Sequence, residues 1–507
     1  MFRYLIPVVL LFINLNNNFC QSKFDYVWLF GQGVNAGTDT TYGIMEYNFN
    51  NRPIQKYRGE MSLDFATSSL YMSDSLGQLQ FYSNGCEIMN TQDKIMKNGN
   101  KINPGKRYDN NCVNGEDYGG IFAFLSIPKP SNLNHYLLFH NPTYYIKLGN
   151  FYDDTNDGLN YSEIDMTKQN GLGEVIKKGI NIFKDTLSPG YISACRHGNN
   201  EDWWIVKKKM YSNTWYKILV TKDTIYKYSA QQIGKFDDYA GGGSGQYCFS
   251  KDGHQFATYN MTEQIQVFDF DRNTGEFTKV VYLDLKDSVT LGGCAFSPSG
   301  RYLYVSNFFK LFQFDLWATD IQASKTLIGE WDGVKINNFF IPNINGIFHG
   351  PDCKLYISSS GSSRYLHVIN RPDEKGAACD FVQRAIKTTW YYWQTPHFPH
   401  YRTGTPYENY CDTITSTGTP ILYFAPNVKV YPNPVQEMMK IEVLGLQSWR
   451  KGTFRLFDSM GRLVQEHQLT ADSGELAINT LSLPKGIYAW SVYLEGFGVQ
   501  SGKVVKE

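Results

Sequence analysis

Short runs of alternating or uniformly hydrophobic residues recur along most of this chain, separated by clusters of glycine, asparagine and aspartate. Runs rich in aromatic and β-branched residues between such clusters predict β-strands bounded by turns. One strand-like run opens each of seven units: YVWLF from Tyr26, LQFYS from Leu79, HYLLF from His135, WWIVK from Trp203, QFATY from Gln255, YLYVS from Tyr302 and LYISS from Leu355. Their spacing of roughly 50 residues is typical of propeller blades. The pattern predicts an all-β fold containing a seven-bladed β-propeller.

The turns between the runs refine this prediction. In CFSKDGHQFATYN and AFSPSGRYLYVSN we expect Gly253 and Gly300 to take the positive φ angles that glycine tolerates best. Because a closed ring leaves no bare sheet edge, the strand near Tyr26 is expected to pair with chain after Leu366. Residues 175–184 are the best short helix candidate. A tandem of β-sandwiches is the alternative architecture.

A second pattern begins near residue 428. Runs such as KIEVL, TFRLFD, ELAIN and GIYAWSVYL fit a small β-sandwich. The predicted organisation is therefore a signal peptide at 1–20, the propeller at 21–385, an aromatic-rich connecting segment at 386–427 and the β-sandwich at 428–507.

The first residues, MFRYLIPVVLLFINLNNNFC, place Arg3 before an apolar run that is too short to cross a bilayer. This arrangement predicts a signal peptide that directs export through the inner membrane, with a buried core helix as the alternative. Cys20 lacks the preceding residues of a lipoprotein signal, so we expect cleavage near Cys20 and Gln21. No transmembrane segment is expected in the mature chain.

Composition narrows the range of partners. The chain has 507 residues, of which 48 are basic and 48 acidic. Because basic residues do not outnumber acidic ones, the sequence does not predict the positively charged surface that binds nucleic acids. Aromatic residues make up 16% of the chain, which suits half-buried strands and also the stacking of carbohydrate rings.

Nine cysteines are present, and eight remain after removal of Cys20. In an oxidising compartment they predict at least one disulfide. Cys86 with Cys112 and Cys353 with Cys379 are the nearest candidate pairs, and Cys353–Cys379 is favoured because both residues lie in one repeat. Cys248 and Cys294 lie in successive repeats and are less favoured partners.

Few stretches suggest catalytic or metal chemistry. AGGGSGQ lacks the lysine and the following helix of a phosphate-binding loop, and neither G-x-S-x-G nor H-E-x-x-H occurs. FYDDTNDGLNYSEID offers weak calcium candidates in Asp153, Asp157 and Glu163, although the spacing departs from that of a calcium loop. No other cofactor is expected.

The connecting segment contains TTWYYWQTPHFPHYRTG, which has too many aromatic residues for a plain linker. We expect it to pack against the propeller, capping a face or completing a recognition surface. Prolines beside the two histidines argue against a helical zinc site. The candidate ligand-binding residues are Trp390, Tyr392, Trp393, His397 and His400.

Several motifs resemble known families. WLFGQG, FYSNGCEIMN, GLNYSEID, VFDFDRNTGEF and AFSPSGRYLYVS resemble the propeller regions of exported proteins in bacteria that use type IX secretion. YPNP, FDSMGRLV, LPKGIYAWSVY and the basic GKVVKE closely resemble the C-terminal sorting domain of type IX cargo, with an ordinary accessory sandwich as the alternative. The resemblance implies these sorting-motif residues: Tyr431, Pro432, Asn433, Pro434, Gly461, Arg462, Gly486, Tyr488, Lys503 and Lys506.

This resemblance implies a partner and a destination. The partner is the type IX translocon, and the destination is the medium or the outer-membrane surface of the cell. Two functions are then open for the propeller. The first is a non-enzymatic binding protein that recognises a glycan or protein through aromatic loops. The alternative is a propeller enzyme such as a lactonase or polysaccharide lyase, since RYLYVSN resembles lactonase-type blades.

Overall fold

The structure is a computed structural model that describes these residues: 23–32, 43–50, 54–58, 63–65, 69–120, 123–148, 151–190, 192–225, 227–236, 245–288, 290–392, 397–403, 427–444, 451–458, 462–470, 475–494 and 498–507. Antiparallel β-sheets dominate these residues. The all-β prediction is confirmed. The predicted signal peptide lies outside the described residues.

The first three sheets are antiparallel, and the third carries an additional strand that pairs with β10. Their strands are, in the first sheet, β1 (Val27–Gln32), β2 (Gly43–Asn48) and β3 (Ile54–Arg58); in the second, β4 (Leu70–Ser73), β5 (Leu79–Ser83) and β6 (Ile88–Asn90); and in the third, β7 (Leu125–Lys129), β8 (Asn132–His140), β9 (Thr143–Leu148), β10 (Phe151–Asp165) and β11 (Glu174–Leu187).

The next four sheets each contain four strands that pair in chain order. They are, in the fourth sheet, β12 (Ser193–Arg196), β13 (Trp203–Lys208), β14 (Thr214–Val220) and β15 (Lys227–Gln232); in the fifth, β16 (Gly245–Phe249), β17 (Gln255–Asn260), β18 (Gln264–Asp271) and β19 (Glu276–Leu283); in the sixth, β20 (Cys294–Phe296), β21 (Tyr302–Ser306), β22 (Lys310–Asp315) and β23 (Thr326–Glu330); and in the seventh, β24 (Ile347–His349), β25 (Leu355–Ile357), β26 (Ser363–Ile369) and β27 (Phe381–Tyr392).

Helices are few and short in the described residues: α1 (Lys106–Asn110) and three 3₁₀ turns at Cys112–Asn114, Gln169–Gly171 and Gly376–Cys379. None of the helices in these residues has the length and apolar character needed to span a membrane. The helix expected at 175–184 is wrong, because these residues belong to β11. That strand pairs with β10 through several register shifts, and the resulting irregularity obscures the two-residue period in the sequence.

Hydrophobic clusters join each sheet to its neighbours. The inner strands are buried on both faces, as in β13 and β21, because each sheet is covered by the sheets on either side. Contacts between first strands follow the chain from β1 to β4 and β7, and from β12 through β16 and β20 to β24. The sheets therefore form a propeller-like arrangement.

The first and seventh sheets close this arrangement by packing their faces together. Trp28 on β1 packs edge-on against Tyr356 at a centroid distance of 5.2 Å, and both belong to one core cluster. The predicted pairing of the first strand with chain after Leu366 is wrong. β1 instead pairs with β2 of its own sheet, so side-chain packing makes this closure.

The positive φ angles predicted for two glycines are confirmed. Gly253 and Gly300 both have φ of 75°. At Gly253 a Cβ atom would also lie 2.4 Å from the Sγ of Cys195, so the turn excludes larger side chains for steric reasons as well.

β27 crosses the predicted boundary at residue 385 and extends to Tyr392. It pairs with β26 and so is part of the seventh sheet. The chain described after it, residues 397–403, lies against the inner strands of the sheets.

A disulfide is present, as predicted, but it joins a different pair of cysteines from the favoured one. Cys86 and Cys112 are bonded, with a Cα–Cα distance of 5.7 Å. Cys353–Cys379 is wrong, since Cys353 is engaged in a different disulfide and Cys379 is a buried free thiol. Occurrence within one repeat did not bring the two residues together.

The C-terminal residues form two further sheets around their own core. One contains β28 (Asn427–Tyr431), β29 (Met438–Leu444) and β32 (Glu475–Asn479). The other contains β30 (Lys451–Phe457), β31 (Leu463–Thr470), β33 (Gly486–Leu494) and β34 (Gly498–Lys506).

Candidate functional site

The axis of the propeller-like arrangement is filled by residues 397–403. The Nε2 of His397 lies 2.8 Å from the carbonyl oxygen of Ile192 before β12, and the Nε2 of His400 lies 3.0 Å from that of Phe249 at the end of β16. In this geometry each ring donates its Nε2 hydrogen to a backbone oxygen. Burial lowers the pKa of His397 to about 4 and that of His400 to about 3, so both rings are neutral at pH 7.

Tyr401 continues this segment. Its hydroxyl donates to the carbonyl oxygen of Ser126 on β7 at 2.8 Å. Its ring packs against Phe24 at 5.4 Å and Trp203 at 6.0 Å. One side chain thus contacts Phe24, which precedes the first sheet, together with the third and fourth sheets, and this fixes the segment within the ring.

An ion pair anchors the end of the segment. Arg402 donates two hydrogen bonds to Asp25, at 2.8 and 2.9 Å, and both side chains are buried. This bidentate geometry satisfies both charges at once, as burial of an ion pair requires. Asp25 directly precedes the first sheet, so the ion pair ties the axial residues to the beginning of the ring.

A cavity of about 40 Å³ remains beside the axial residues. It has room for water but not for a sugar or a lactone. Both ring nitrogens of His349 lack a hydrogen-bond partner among the described residues. Its ring contacts that of His400 at 4.5 Å, and burial lowers its pKa well below the usual value. The polar residues lining the cavity are Asp25, Ser193, Gln246, Cys248, His349, His397 and His400.

The predicted ligand-binding residues are thus mostly structural. Tyr392 is fully buried, packs on Phe30 at 5.3 Å and donates its hydroxyl hydrogen to the carbonyl oxygen of Tyr365. It therefore has no face for a ligand. Trp390 is half-buried against the first sheet, where its ring covers Gly43. Trp393 lies outside the described residues.

The calcium candidates do not converge. Asp153, Asp157 and Glu163 all lie on β10, so the first and last are about 33 Å apart along an extended strand. Glu163 instead binds Lys129, His135 and Lys177 at 2.8 to 2.9 Å. These partners lower its pKa to about 2 against the opposing effect of burial. The described residues contain no cluster of three or more His, Cys, Asp or Glu suited to a metal ion.

Sequence reasoning missed a surface that we name the aromatic face: Phe309, Trp331, Phe339 and Phe340. Phe309 directly precedes β22 and contacts Trp331 at 5.7 Å. Phe339 is 78% exposed, and Phe309 is 40% exposed. The signal for this surface was present in WDGVKINNFFIPN, a loop whose aromatic residues have no alternating pattern that would bury them.

The loop of the aromatic face is held in place by hydrogen bonds and ring contacts. Phe340 packs on Tyr391 at 5.2 Å, and the hydroxyl of Tyr391 accepts from Asn337 at 3.0 Å. The indole nitrogen of Trp331 donates to the carbonyl oxygen of Val334 at 3.0 Å. These hydrogen bonds and ring contacts hold the loop that carries the exposed rings.

A separate groove of about 460 Å³ lies where β22 ends, so it is at the opposite end of that strand from Phe309. Trp317 lines it and is 68% exposed, with the guanidinium of Arg301 at 5.5 Å from its ring. Trp317 therefore provides an exposed aromatic residue remote from the aromatic face.

In the C-terminal domain the YPNP segment connects the beginning of the domain to its last strand. Asn433 accepts from the backbone of Val505 at 2.9 Å and contacts the carbonyl oxygen of Lys503 at 3.3 Å. The prolines lie after β28 ends, in a bend rather than in an extended strand. The motif thus closes the sandwich around β34.

Other sorting-motif residues shape turns and edges. Arg462 bonds Asp458 at 2.8 Å, and the hydroxyl of Tyr488 donates to the carbonyl oxygen of Pro484 at 2.8 Å. Gly486 begins β33 opposite Lys506. Lys503 is exposed, and Gly461 lies outside the described residues.

The C-terminal domain also matches a known protein family. Residues 429–507 match the family model of the Secretion system C-terminal sorting domain. The match indicates export by type IX secretion and interaction with its machinery. No curated protein matches the chain.

Solved structures to which the chain shows similarity include a candidate 6-phosphogluconolactonase from Bacteroides fragilis. It shares 12% identity, with 74% of this chain and 99% of that chain covered and a TM-score of 0.38. A gluconolactonase from Xanthomonas campestris shares 11% identity, with 59% and 87% covered and a TM-score of 0.28. These likenesses are too distant to assign an activity to this chain.

Proposed function

We propose that the protein is a seven-bladed β-propeller delivered by type IX secretion to the medium or the outer-membrane surface, where it binds a glycan or protein. Each of the seven sheets between residues 27 and 392 corresponds to one blade in this proposal. The aromatic face is the binding surface.

The observation that carries this proposal is the contrast between a filled axis and exposed rings. The axial residues leave only a water-sized cavity, whereas Phe339 and Phe309 present their rings to solvent. An exposed aromatic ring can stack on the apolar face of a sugar, contributing on the order of a kcal/mol per ring by analogy with other stacking contacts. The same rings would suit an aromatic or aliphatic hot spot of a protein ligand.

The enzyme alternative has less support. Asp25, His349 and His400 do converge on the axis, as an active site there would require. However, Asp25 is paired with Arg402, and His400 donates to a backbone oxygen. No lactone or saccharide fits in about 40 Å³. Turnover of a lactone or polysaccharide by the purified protein would contradict the proposal.

A binding experiment tests the role of the aromatic face. The purified chain is incubated with a panel of insoluble polysaccharides and with intact cell envelopes, and the retained fraction is measured. Trp331→Ala combined with Phe339→Ala is expected to abolish retention on the substrate that retains the unaltered chain. Trp317→Ala is the matched control, because it removes an exposed ring at the other end of β22. Equal loss in the control, or none in the double variant, would refute this surface.

Export is tested separately by deleting residues 428–507. The axial residues remain in this variant, so the propeller is expected to fold and to accumulate in the periplasm. Cell fractionation with antibody detection measures its distribution. Appearance of the deletion variant in the medium at the level of the full chain would refute the sorting role without affecting the binding proposal.

A further inference from the structure

Two free thiols meet beside the axis. Cys248 on β16 and Cys294 on β20 have their Sγ atoms 3.9 Å apart. These strands are the first strands of the fifth and sixth sheets, and they contact each other directly. A covalent bond here would therefore connect two neighbouring sheets at the innermost part of the ring.

The two other free thiols have different surroundings. Cys195 donates to the carbonyl oxygen of Gly253 at 3.7 Å, and Cys379 contacts the hydroxyl of Tyr304. Both are buried, as Cys294 is. Cys294 also donates to a carbonyl oxygen, that of Gln246, at 3.3 Å. The two members of the close pair are therefore distinguished by the neighbouring thiol, and Cys195 and Cys379 serve as internal references.

We propose that Cys248 and Cys294 are an oxidation site and form a disulfide that links the fifth and sixth sheets. The inference rests on the export assigned by the sorting domain, since secreted proteins meet oxidising conditions. A disulfide has an S–S length of about 2.05 Å, so the sulfurs must approach by about 2 Å. Rotation of the half-buried Cys248 about χ1 can supply much of this approach, because its side chain lines the cavity.

The oxidant is a disulfide, either a small molecule such as oxidised glutathione or a thiol oxidase of the envelope. The Cys248 thiolate attacks one sulfur of the oxidant, the oxidant's S–S bond breaks, and one thiol leaves after taking up a proton. The Cys294 sulfur then attacks the Cys248 sulfur, loses its proton and displaces the second thiol. The pair loses two electrons and two protons, and the oxidant is reduced to two thiols.

Access determines when this reaction occurs. The cavity beside Cys248 is only about 40 Å³ and is lined in part by residues 397–400, so it restricts the approach of a molecule as large as glutathione in the folded protein. Burial also raises the pKa of the Cys294 thiol well above its usual value, which opposes ionisation in the folded protein. We therefore expect the bond to form during folding, before the axial residues restrict access.

The experiment uses the full chain, unfolded in reductant and refolded with either oxidised or reduced glutathione. Free thiols are alkylated under denaturing conditions, and unreduced peptides are analysed by mass spectrometry. We expect a Cys248–Cys294 peptide two hydrogens lighter than its separate halves, with Cys195 and Cys379 alkylated. The Cys86–Cys112 bond reports that oxidation took place. Alkylated Cys248 and Cys294 beside an intact Cys86–Cys112 bond would overturn the proposal.

A second measurement compares thermal unfolding. In the oxidised sample, Cys248→Ser and Cys294→Ser are each expected to lower Tm by a few degrees, and the two substitutions together should lower it no further. Cys379→Ser should show no dependence on the redox condition. Equal Tm differences in oxidised and reduced samples would identify the effect as packing alone and would overturn the disulfide. Because refolding in vitro does not involve secretion, failure of the export assignment would leave this result unaffected.

Discussion

The axial segment and the aromatic face have similar side chains in opposite environments. Residues 397–403 place a phenylalanine, a tyrosine and two histidines among the inner strands. The loop at 331–340 places Phe339 towards solvent and leaves Trp331 only partly buried. Aromatic content therefore predicts a special segment but not its role, because the role depends on whether neighbouring sheets cover the rings.

Breaking the axial ion pair should have the largest effect. Arg402→Ala leaves the buried carboxylate of Asp25 without its cation, and the expected loss of unfolding free energy is about 3–5 kcal/mol. Denaturant titration measures it. Arg462→Ala, which removes an exposed ion pair with Asp458, is the control and should leave the transition unchanged. A loss below about 1 kcal/mol for Arg402→Ala would mean that the axial residues do not stabilise the ring.

Replacing a phenylalanine by alanine in each region compares how much the two regions contribute to stability. Phe398→Ala removes a ring that packs on Tyr71 at 5.7 Å and on Tyr401 at 6.2 Å, so it should cost about 2–4 kcal/mol. Phe339→Ala should change stability by less than about 0.5 kcal/mol, because that ring is largely exposed. Denaturant titrations measure both losses. Equal losses of unfolding free energy would mean that Phe398 is no more part of the core than Phe339.

The axial histidines predict a dependence on pH. Burial holds the pKa of His397 near 4 and that of His400 near 3, below the unfolded value of about 6.5. Between these values the unfolded chain binds protons that the folded chain does not. Stability is therefore fully present above about pH 6.5 and falls with acidification, by about 1.4 kcal/mol per pH unit for each histidine.

His400→Gln tests this dependence. Glutamine can retain an N–H donor to Phe249, so the slope of stability between pH 6.5 and 5 should decrease by about 1.4 kcal/mol per pH unit. Urea titrations at several pH values measure the slope. The exposed His254, replaced by glutamine, is the control. An unchanged slope in the His400 variant would indicate that its ring is solvated or already protonated.

The smallest effect is expected from a single hydroxyl. Tyr401→Phe keeps the packed ring but leaves the carbonyl oxygen of Ser126 without this donor, at a cost of about 1–2 kcal/mol. A matched change, Tyr488→Phe in the C-terminal domain, removes a comparable bond and should not alter unfolding of the ring. If Tyr488→Phe also lowered the unfolding free energy of the propeller, the two domains would unfold together.

Patterns within a few residues were predicted well. Runs such as YLYVS and WWIVK appear as buried strands, and the turns at Gly253 and Gly300 have the expected backbone. The sorting domain was predicted from several ordered motifs along one segment. Prediction failed where irregular pairing interrupts the period, as in β11, and where distant segments decide a contact, as for the bond predicted between Cys353 and Cys379.

The repeating strands, the turn glycines and the sorting domain could be predicted from local sequence, since each depends on residues that are close along the chain. The packing of the sheets determines which aromatic residues are buried, which thiols are neighbours and what fills the axis. Residues 397–403 contact parts of the chain that lie between about 50 and 380 positions earlier, as the contacts with His349 and Asp25 show. No local period encodes such contacts, because they depend on how the sheets pack around one another.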